Sequence, residues 1–585
     1  MSTALIEAPS RTEVAAPEAN APGRPARWPH LLAAGVYLAL GLVVMGRYLA
    51  DPQGTLTPQI PADHTWFQWL LSHGAHAVRH LENPLFSTAQ NAPDGVNMMA
   101  NTSVLGVTVP MAPVTLLAGP RVAYVVWMVG ACAGTALTAY WALQRYLVRS
   151  RAAAFVGGAF AGFAPGIIHH ANGQPNFVSN FLIPLIVAAV IRLGIDGRWR
   201  RDGLVLGGLV TWQLFINEEV LLVTAVACAV LAFAWAAFRP DQARRRWRSF
   251  GAALGVTALT AGVLCAYPIW FQFHGPGSFS GMPAFNTWGE DPVTWVTFAR
   301  DTVAGSPEAE LTQGRTEQNS WFGWPLVLTV AAVTVALWRR TEIVRTAAVV
   351  TGVAAVLSIG PALRFGGELT GVPGPQALLG EDFPVLNLAM PSRMTYAVIG
   401  AFVVVLALAW DRLPARAFRV AIVLALVPLI PQPLPAMPDR VPPRFITSGA
   451  WRAYVPAGRT MVTLPLPSNW AGREQLSWSA WAGHEYAVPE GYFLGPDVDG
   501  AGRMGPAHLS RTTALVHLTV EAGAAPTVTA EDRATVWTEV ARWRGAVVVV
   551  RDTAGDAAYR DLAGQLFGPG TQVDDVWVWD LRGRY

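Results

Sequence analysis

The chain has 585 residues and a formal net charge of +3, with 52% hydrophobic and only 14% charged residues. Soluble domains carry about 25% charged residues, so the charge here is too sparse to cover a soluble enzyme of this length. The apolar content excludes disorder for most of the chain, and 42 basic against 39 acidic residues makes no case for nucleic acid as a partner. The three cysteines, Cys132, Cys228 and Cys265, all lie in apolar runs, so neither a disulfide framework nor a cysteine metal cluster follows from them.

Residues 1–29 are rich in Ala, Pro, Glu and Arg without apolar periodicity, which predicts a disordered tail. The run Leu31–Leu49 is too long for a signal-peptide core and reads as a first membrane helix, with Arg24 and Arg27 holding the tail in the cytoplasm. A polar first outer loop, residues 50–121, comes next. Its apolar stretch Val104–Ala118 contains Pro110 and Pro113 and reads as an interfacial helix.

Further apolar runs follow at Val122–Leu143, Ala152–Ile168, Phe177–Ile191, Leu204–Ile216, Val220–Phe238 and Phe250–Phe271. Four more lie at Trp321–Trp338, Thr346–Ile359, Met394–Trp410 and Phe418–Ile430. Every second connection is short and rich in arginine, as at Arg145–Arg151 and Arg239–Arg248, and the others are long and acidic. That alternation is the positive-inside pattern. It predicts a polytopic α-helical membrane protein of about eleven transmembrane helices, the N-terminus inside and the C-terminus outside. The domain so defined covers residues 30–431.

Beyond Pro431 the composition changes. Residues 432–444 form a proline-rich linker, and residues 445–585 read as a small extracytoplasmic α/β domain. Thr460–Leu464, Ala546–Val550 and Val576–Leu581 have strand character, and Glu531–Trp543 has helical spacing.

The polar groups that could carry chemistry gather on the outer side. Asp63 stands just before a helical stretch, where an aspartate is favoured as a cap, and is followed by His64 and Trp66. His169, His170, Asn172 and Gln174 follow Pro165 at the outer end of a span. A histidine pair reads first as a hydrogen-bonding cluster and second as half of a metal site, with no carboxylate near it in sequence. Glu218 and Glu219 are adjacent carboxylates between apolar runs, a placement that is expensive at membrane depth and usually faces a cavity. Arg393 starts a late span, where fork geometry and a helix N-terminus both suit a phosphate. No Walker A loop, dinucleotide fingerprint or His-Glu-x-x-His run is present.

The layout resembles the GT-C superfamily of integral membrane glycosyltransferases. The resemblance rests on the cytoplasmic N-terminus, one span, and a large outer loop with an acidic residue soon after it, here Asp63 in Pro61-Ala62-Asp63-His64. It extends to Leu116-Leu117-Ala118-Gly119-Pro120-Arg121, to Phe163-Ala164-Pro165 and to Pro391-Ser392-Arg393. It implies transfer of a sugar from a polyprenyl-phosphate donor to a glycan or lipid acceptor in the cell envelope, at the outer face of the cytoplasmic membrane. Asp63 would be the base, with Glu218 and Glu219 as alternatives, and His64, Trp66, His169, His170, Asn172, Gln174 and Arg393 would bind substrate. It makes no cofactor certain, and leaves a divalent metal open. Many members carry two acidic residues at the first-loop position, and here His64 follows Asp63 instead. Two rivals are a lipid or polysaccharide transporter or flippase, and a non-catalytic envelope-assembly protein.

Overall fold

The computed structural model describes residues 28–102, 104–193, 198–281, 288–307, 317–379, 389–468 and 470–584. The tail expected over residues 1–29 lies almost wholly outside them. Each apolar run of the sequence forms helix, from Trp28–Val44 to Arg416–Leu426. Among the described residues, five helices are long and apolar enough to cross a membrane: Pro120–Tyr146, Arg151–His170, Glu218–Phe238, Pro240–His274 and Pro391–Arg412. Three shorter apolar helices, Trp28–Val44, Ile183–Leu193 and Gly323–Leu337, accompany them. The protein is therefore a multi-pass membrane protein.

Burial separates these helices into two groups. The apolar windows of Pro120–Tyr146, Arg151–His170 and Pro391–Arg412 are 61–72% buried, against 17% for Glu218–Phe238 and Pro240–His274. The first three build the centre of the bundle. The other two display Phe233, Leu259, Val263 and Phe273 outward, an apolar surface that suits lipid. At the centre, helices approach closely through glycine. A Cβ at Gly162 would sit 2.5 Å from the Cys132 carbonyl oxygen, and one at Gly158 would sit 2.7 Å from that of Ala136. Small residues at such contacts let membrane helices touch through their backbones.

Two apolar segments are broken within their length. The helix Arg151–Phe163 stops at Ala164, which is extended, and Pro165 starts the short helix Pro165–His170. Proline fits the first helical position because its missing N–H has no partner there in any case. The next segment likewise divides into Pro175–Val178 and Ile183–Leu193. His169 and His170 thus end a short helix of their own, just past the apolar run Ala152–Ile168.

The proline-rich segment after residue 431 is docked along the chain. Leu434 N donates to Val44 O at 2.9 Å, and Tyr48 Oη donates to Pro435 O at 2.8 Å. Thr55–Leu56 of the first outer loop pairs antiparallel with Met437–Pro438. Asp439 accepts from Arg121 at 2.8 Å and from Arg473 at 3.1 Å, and Arg473 also donates to Thr65 at 3.0 Å. One carboxylate thus ties the linker to a membrane helix, a C-terminal helix and the first outer loop.

Residues 460–580 contain a four-stranded sheet in the order Thr571–Val573, Val576–Asp580, Gly545–Arg551, Thr460–Thr463. The last two strands are parallel, with Val548 opposite Val462, and the other neighbours are antiparallel. Side chains alternate across a strand. Val548 and Val550 pack with Val536, Val540, Leu562 and Leu566 of the covering helices. Val547 and Val549 pack into the core that continues through Trp451 and Trp478 into the membrane helices. Burial on both faces explains the unbroken apolar run Ala546–Val550. The same continuous core means that residue 445 marks no clean boundary: Phe445 and Ile446 share one core with the helices.

Candidate functional site

The helix Pro61–His80 begins with Pro61, two residues before Asp63. Asp63 therefore lies within the first helical turn and does not cap it, which corrects the expectation of a cap. The backbone at Ile60 makes no side-chain cap bond. The Asp63 carboxylate is directed elsewhere: Oδ2 accepts from Gln174 Nε2 at 3.0 Å, and Oδ1 accepts from the Tyr492 hydroxyl. Burial pushes the Asp63 carboxyl above the usual carboxylate range. The donors on Tyr492 and Gln174 pull against that shift, Glu317 adds to it and Arg393 opposes it.

Gln174 continues the network inward. Its Oε1 lies 2.6 Å from His170 Nδ1, and His170 Nε2 lies 2.6 Å from Asn319 Oδ1. Asn319 Nδ2 donates to Glu317 O at 2.9 Å. Glu317 takes a two-pronged contact from Arg393, at 3.0 Å from Nε and 2.9 Å from Nη2, and Arg393 Nη1 donates to Glu219. Met390 N donates to Glu219 Oε1 at 2.5 Å. The Arg393 guanidinium also lies over the Phe177 ring, 4.0 Å from its centre. A single polar network thus runs from the first outer loop to the start of a late membrane helix. Asp63, Gln174 and Tyr492 are each half-buried at its outer end, and His170 and Asn319 are fully buried beneath them.

Glu290 braces the inner side. Its carboxylate accepts from the backbone of Asn319 and Ser320 at 2.8–3.1 Å, from Thr294 Oγ1 at 3.1 Å and from the Ser320 hydroxyl. Burial nevertheless pushes its carboxyl up to about 7. Glu317 behaves differently. Burial works against its charge and is the largest single influence, but Arg393, His170 and Gln174 together outweigh it and leave its carboxyl below the usual range.

The other residues singled out in the sequence fall at varied distances from this network. His64, next to Asp63, points into the core. It is 1% exposed, with its ring centre 4.1 Å from that of Tyr124 and 5.8 Å from that of Tyr48. Burial drops it to about 3, so it is neutral. Consecutive helical side chains point about 100° apart, which separates His64 from Asp63. Trp66 forms a wall beside the site, stacked on Trp69 at 5.2 Å and edge-on to Tyr492 at 6.3 Å. His169 is buried with its ring 5.7 Å from Trp321. Asn172 is buried, donates to Asp301 at 2.7 Å and accepts from Thr57 through its carbonyl at 3.1 Å.

The adjacent glutamates diverge. Glu218 is exposed and accepts from Gln272 at 3.0 Å, tying two peripheral helices together. Glu219 faces Arg393. Three of the five N–H donors of Arg393 are engaged by Glu317 and Glu219, so one cation here meets two carboxylates. The fork that the sequence offered to a phosphate is thus largely taken up by two carboxylates, with two N–H groups left over. Glu82 and Asp94, other acids of the first loop, are surface groups paired with His76 and Arg542. Among the described residues, no group of three or more His, Cys, Asp or Glu side chains is arranged to hold a metal ion.

Tyr492, Glu317, Asn319 and Glu290 were not singled out by sequence. Glu317-Gln318-Asn319-Ser320 is a polar run immediately before the apolar run at Trp321, and that abrupt switch is a usable signal. Tyr492 carries no comparable signal.

The fold has relatives among solved structures. The arabinofuranosyltransferase AftD from Mycobacteria is 14% identical, aligns over 95% of this chain and has a TM-score of 0.59. This chain covers 40% of the AftD chain. The oligosaccharyltransferase of Archaeoglobus fulgidus, in a complex with Zn and sulfate, is 12% identical, with a TM-score of 0.50. The alignment covers 92% of this chain and 70% of that one. The fold is shared with these two glycosyltransferase structures, in line with the layout of the sequence. No curated protein matches the chain at a significant level. Residues 36–431 match the family described as a domain of unknown function, DUF6311, and the chain belongs to that family.

Proposed function

We propose that the protein is a membrane glycosyltransferase that moves a sugar from a polyprenyl-phosphate donor to an acceptor outside the cytoplasmic membrane. The observation that carries this reading is the half-buried Asp63 carboxylate, held from both oxygens by Tyr492 and Gln174 in the first outer loop of a GT-C fold. In this reading the chain crosses the membrane about eleven times. Its N-terminus is cytoplasmic, and the sheet-bearing C-terminal region of residues 445–585 lies outside.

The reaction needs little acid catalysis, because a phosphate is a good leaving group. The acceptor hydroxyl oxygen forms a bond to the anomeric carbon as the bond from that carbon to the phosphate oxygen breaks. The hydroxyl proton passes to Asp63, and polyprenyl phosphate departs. A carboxylate whose pKa is raised toward the working pH is a better base than an ordinary one. The two N–H groups of Arg393 not engaged by Glu317 and Glu219 are the donors we assign to the departing phosphate. Glu219 then orients Arg393, and Trp66 offers an aromatic wall for sugar or prenyl chain.

The reading is tested with purified protein in lipid nanodiscs. A panel of labelled polyprenyl-phosphate sugars, arabinofuranose among them, is offered with cell-envelope acceptors. Release of polyprenyl phosphate with label in the acceptor supports the reading. No turnover with any donor, together with flux of labelled lipid in proteoliposomes, would replace it with the transporter reading.

A further inference from the structure

Residues 488–494 lie against the first outer loop, directly after Ala487, which bridges Thr460 at the edge of the four-stranded sheet. Val488 N donates to Ala89 O at 3.0 Å, Ala92 N donates to Val488 O at 3.1 Å, and Asn91 N donates to Glu490 O at 2.6 Å. Past Tyr492, Leu494 N donates to Asn101 Oδ1 at 2.7 Å, and Asn101 Nδ2 donates back to Leu494 O at 2.9 Å. Tyr492 N itself donates to Gln90 Oε1 at 3.1 Å. The preceding residue is Gly491 at φ +154°, where a Cβ would come 2.1 Å from that same Gln90 oxygen. The chain on both sides of Tyr492 is therefore fixed to the loop that carries Asp63.

The side chain is fixed as well. The Tyr492 ring meets Trp66 edge-on at 6.3 Å, and its hydroxyl donates to Asp63 Oδ1. We propose that Tyr492 is a positioning residue: with Gln174 it sets the orientation of the Asp63 carboxylate, and so makes the C-terminal region part of the catalytic unit. This rests on the reading of Asp63 as the base. A donor on each oxygen leaves one lone pair on each for an acceptor hydroxyl, and locking the side chain removes the rotamers that would aim it wrongly. Burial pushes the Tyr492 phenol upward, and the neighbouring Asp63 charge adds to this, so the phenol stays a donor. The other ionisable groups acting on Asp63 are Glu317 and Arg393, with the Tyr124 phenol also close.

The test is transfer by Tyr492→Phe in the full-length protein, measured against pH with thermal stability on the same preparation. The ring and its contact with Trp66 remain, and only the O–H is lost. We expect kcat to fall about tenfold, as for a lost hydrogen bond to a charged group, with donor KM within about twofold. The acidic limb of the kcat profile should move to higher pH, because the ionised carboxylate loses a donor. Tyr486→Phe, which deletes a buried hydroxyl from the same region, should change neither. Wild-type kcat and an unmoved limb in Tyr492→Phe, beside an inactive Asp63→Asn, would overturn the positioning role and leave the base assignment standing. Normal transfer by Asp63→Asn would instead remove the base assignment itself. Should Tyr492→Phe fail to fold, 3-fluorotyrosine at position 492 keeps the shape and strengthens the donor. The limb should then move to lower pH, and an unmoved limb overturns the proposal.

Discussion

Gln174 Nε2 donates to Asp63 Oδ2 at 3.0 Å while its Oε1 lies 2.6 Å from His170 Nδ1, so a single amide links the outer-loop carboxylate to a helix-end imidazole. The link depends on the break at Ala164, which lets Pro165–His170 begin as a separate short helix. It also makes Gln174 sensitive to substitution in a defined way.

Replacing Gln174 with leucine removes a donor from a carboxylate that burial already pushes upward. The carboxyl rises further, and a base must be ionised to act. Transfer by Gln174→Leu should therefore fall about tenfold or more at neutral pH, given about 1.5–3 kcal/mol for a hydrogen bond to a charged group. Its acidic limb should lie at higher pH than in the wild type, and the wild-type limb should itself lie above the ordinary carboxylate value. A kcat profile from pH 4 to 8 for both proteins checks this, and coincident limbs would contradict it.

Arg393 holds two carboxylates in a buried place. Arg393→Ala should lower stability by about 3–5 kcal/mol, because it leaves buried charge uncompensated. Adding Glu317→Gln to Arg393→Ala removes one of the stranded charges and should recover part of the loss. Thermal unfolding in detergent compares the three proteins. If Arg393 served only as a surface anchor, the single variant would unfold at the wild-type temperature.

Glu290 predicts a pH dependence of stability. Its folded carboxyl is raised from 4.5 to about 7, so the folded state binds the proton more tightly than the unfolded chain. That contribution is fully present below about pH 4.5 and is lost as pH rises through about 7. Glu290→Gln cannot titrate there, so its unfolding temperature should change less between pH 5 and pH 8 than that of the wild type. Parallel curves for the two proteins would contradict the assignment.

Much of the helical architecture is legible in the sequence because each membrane segment needs a long apolar run. The strand Gly545–Arg551 is legible for a related reason: a strand buried on both faces has no polar positions to interrupt it. Asp63 stands out as an acid soon after the first span, beside Asp51, at the start of a helical stretch. Its partners do not. Tyr492 lies 429 positions away, and nothing near it in sequence indicates that the C-terminal region folds back onto the first loop. The charge balance around Arg393 is hidden for the same reason, since Glu219 and Glu317 reach it from different segments, 174 and 76 positions away. The cap expected at Asp63 fails by three residues, because Pro61 starts the helix earlier than the apolar periodicity does and the cap position is Ile60.

The central claim, that Asp63 takes the acceptor proton, is tested most directly by sugar transfer in Asp63→Asn. Asparagine keeps the shape of the side chain and can still accept from the Tyr492 hydroxyl through its amide oxygen. The protein should fold, with an unfolding temperature near that of the wild type. Transfer from the labelled polyprenyl-phosphate donor should drop by about 10²-fold or more, the usual contribution of a general base. Near wild-type transfer in folded Asp63→Asn would contradict the account.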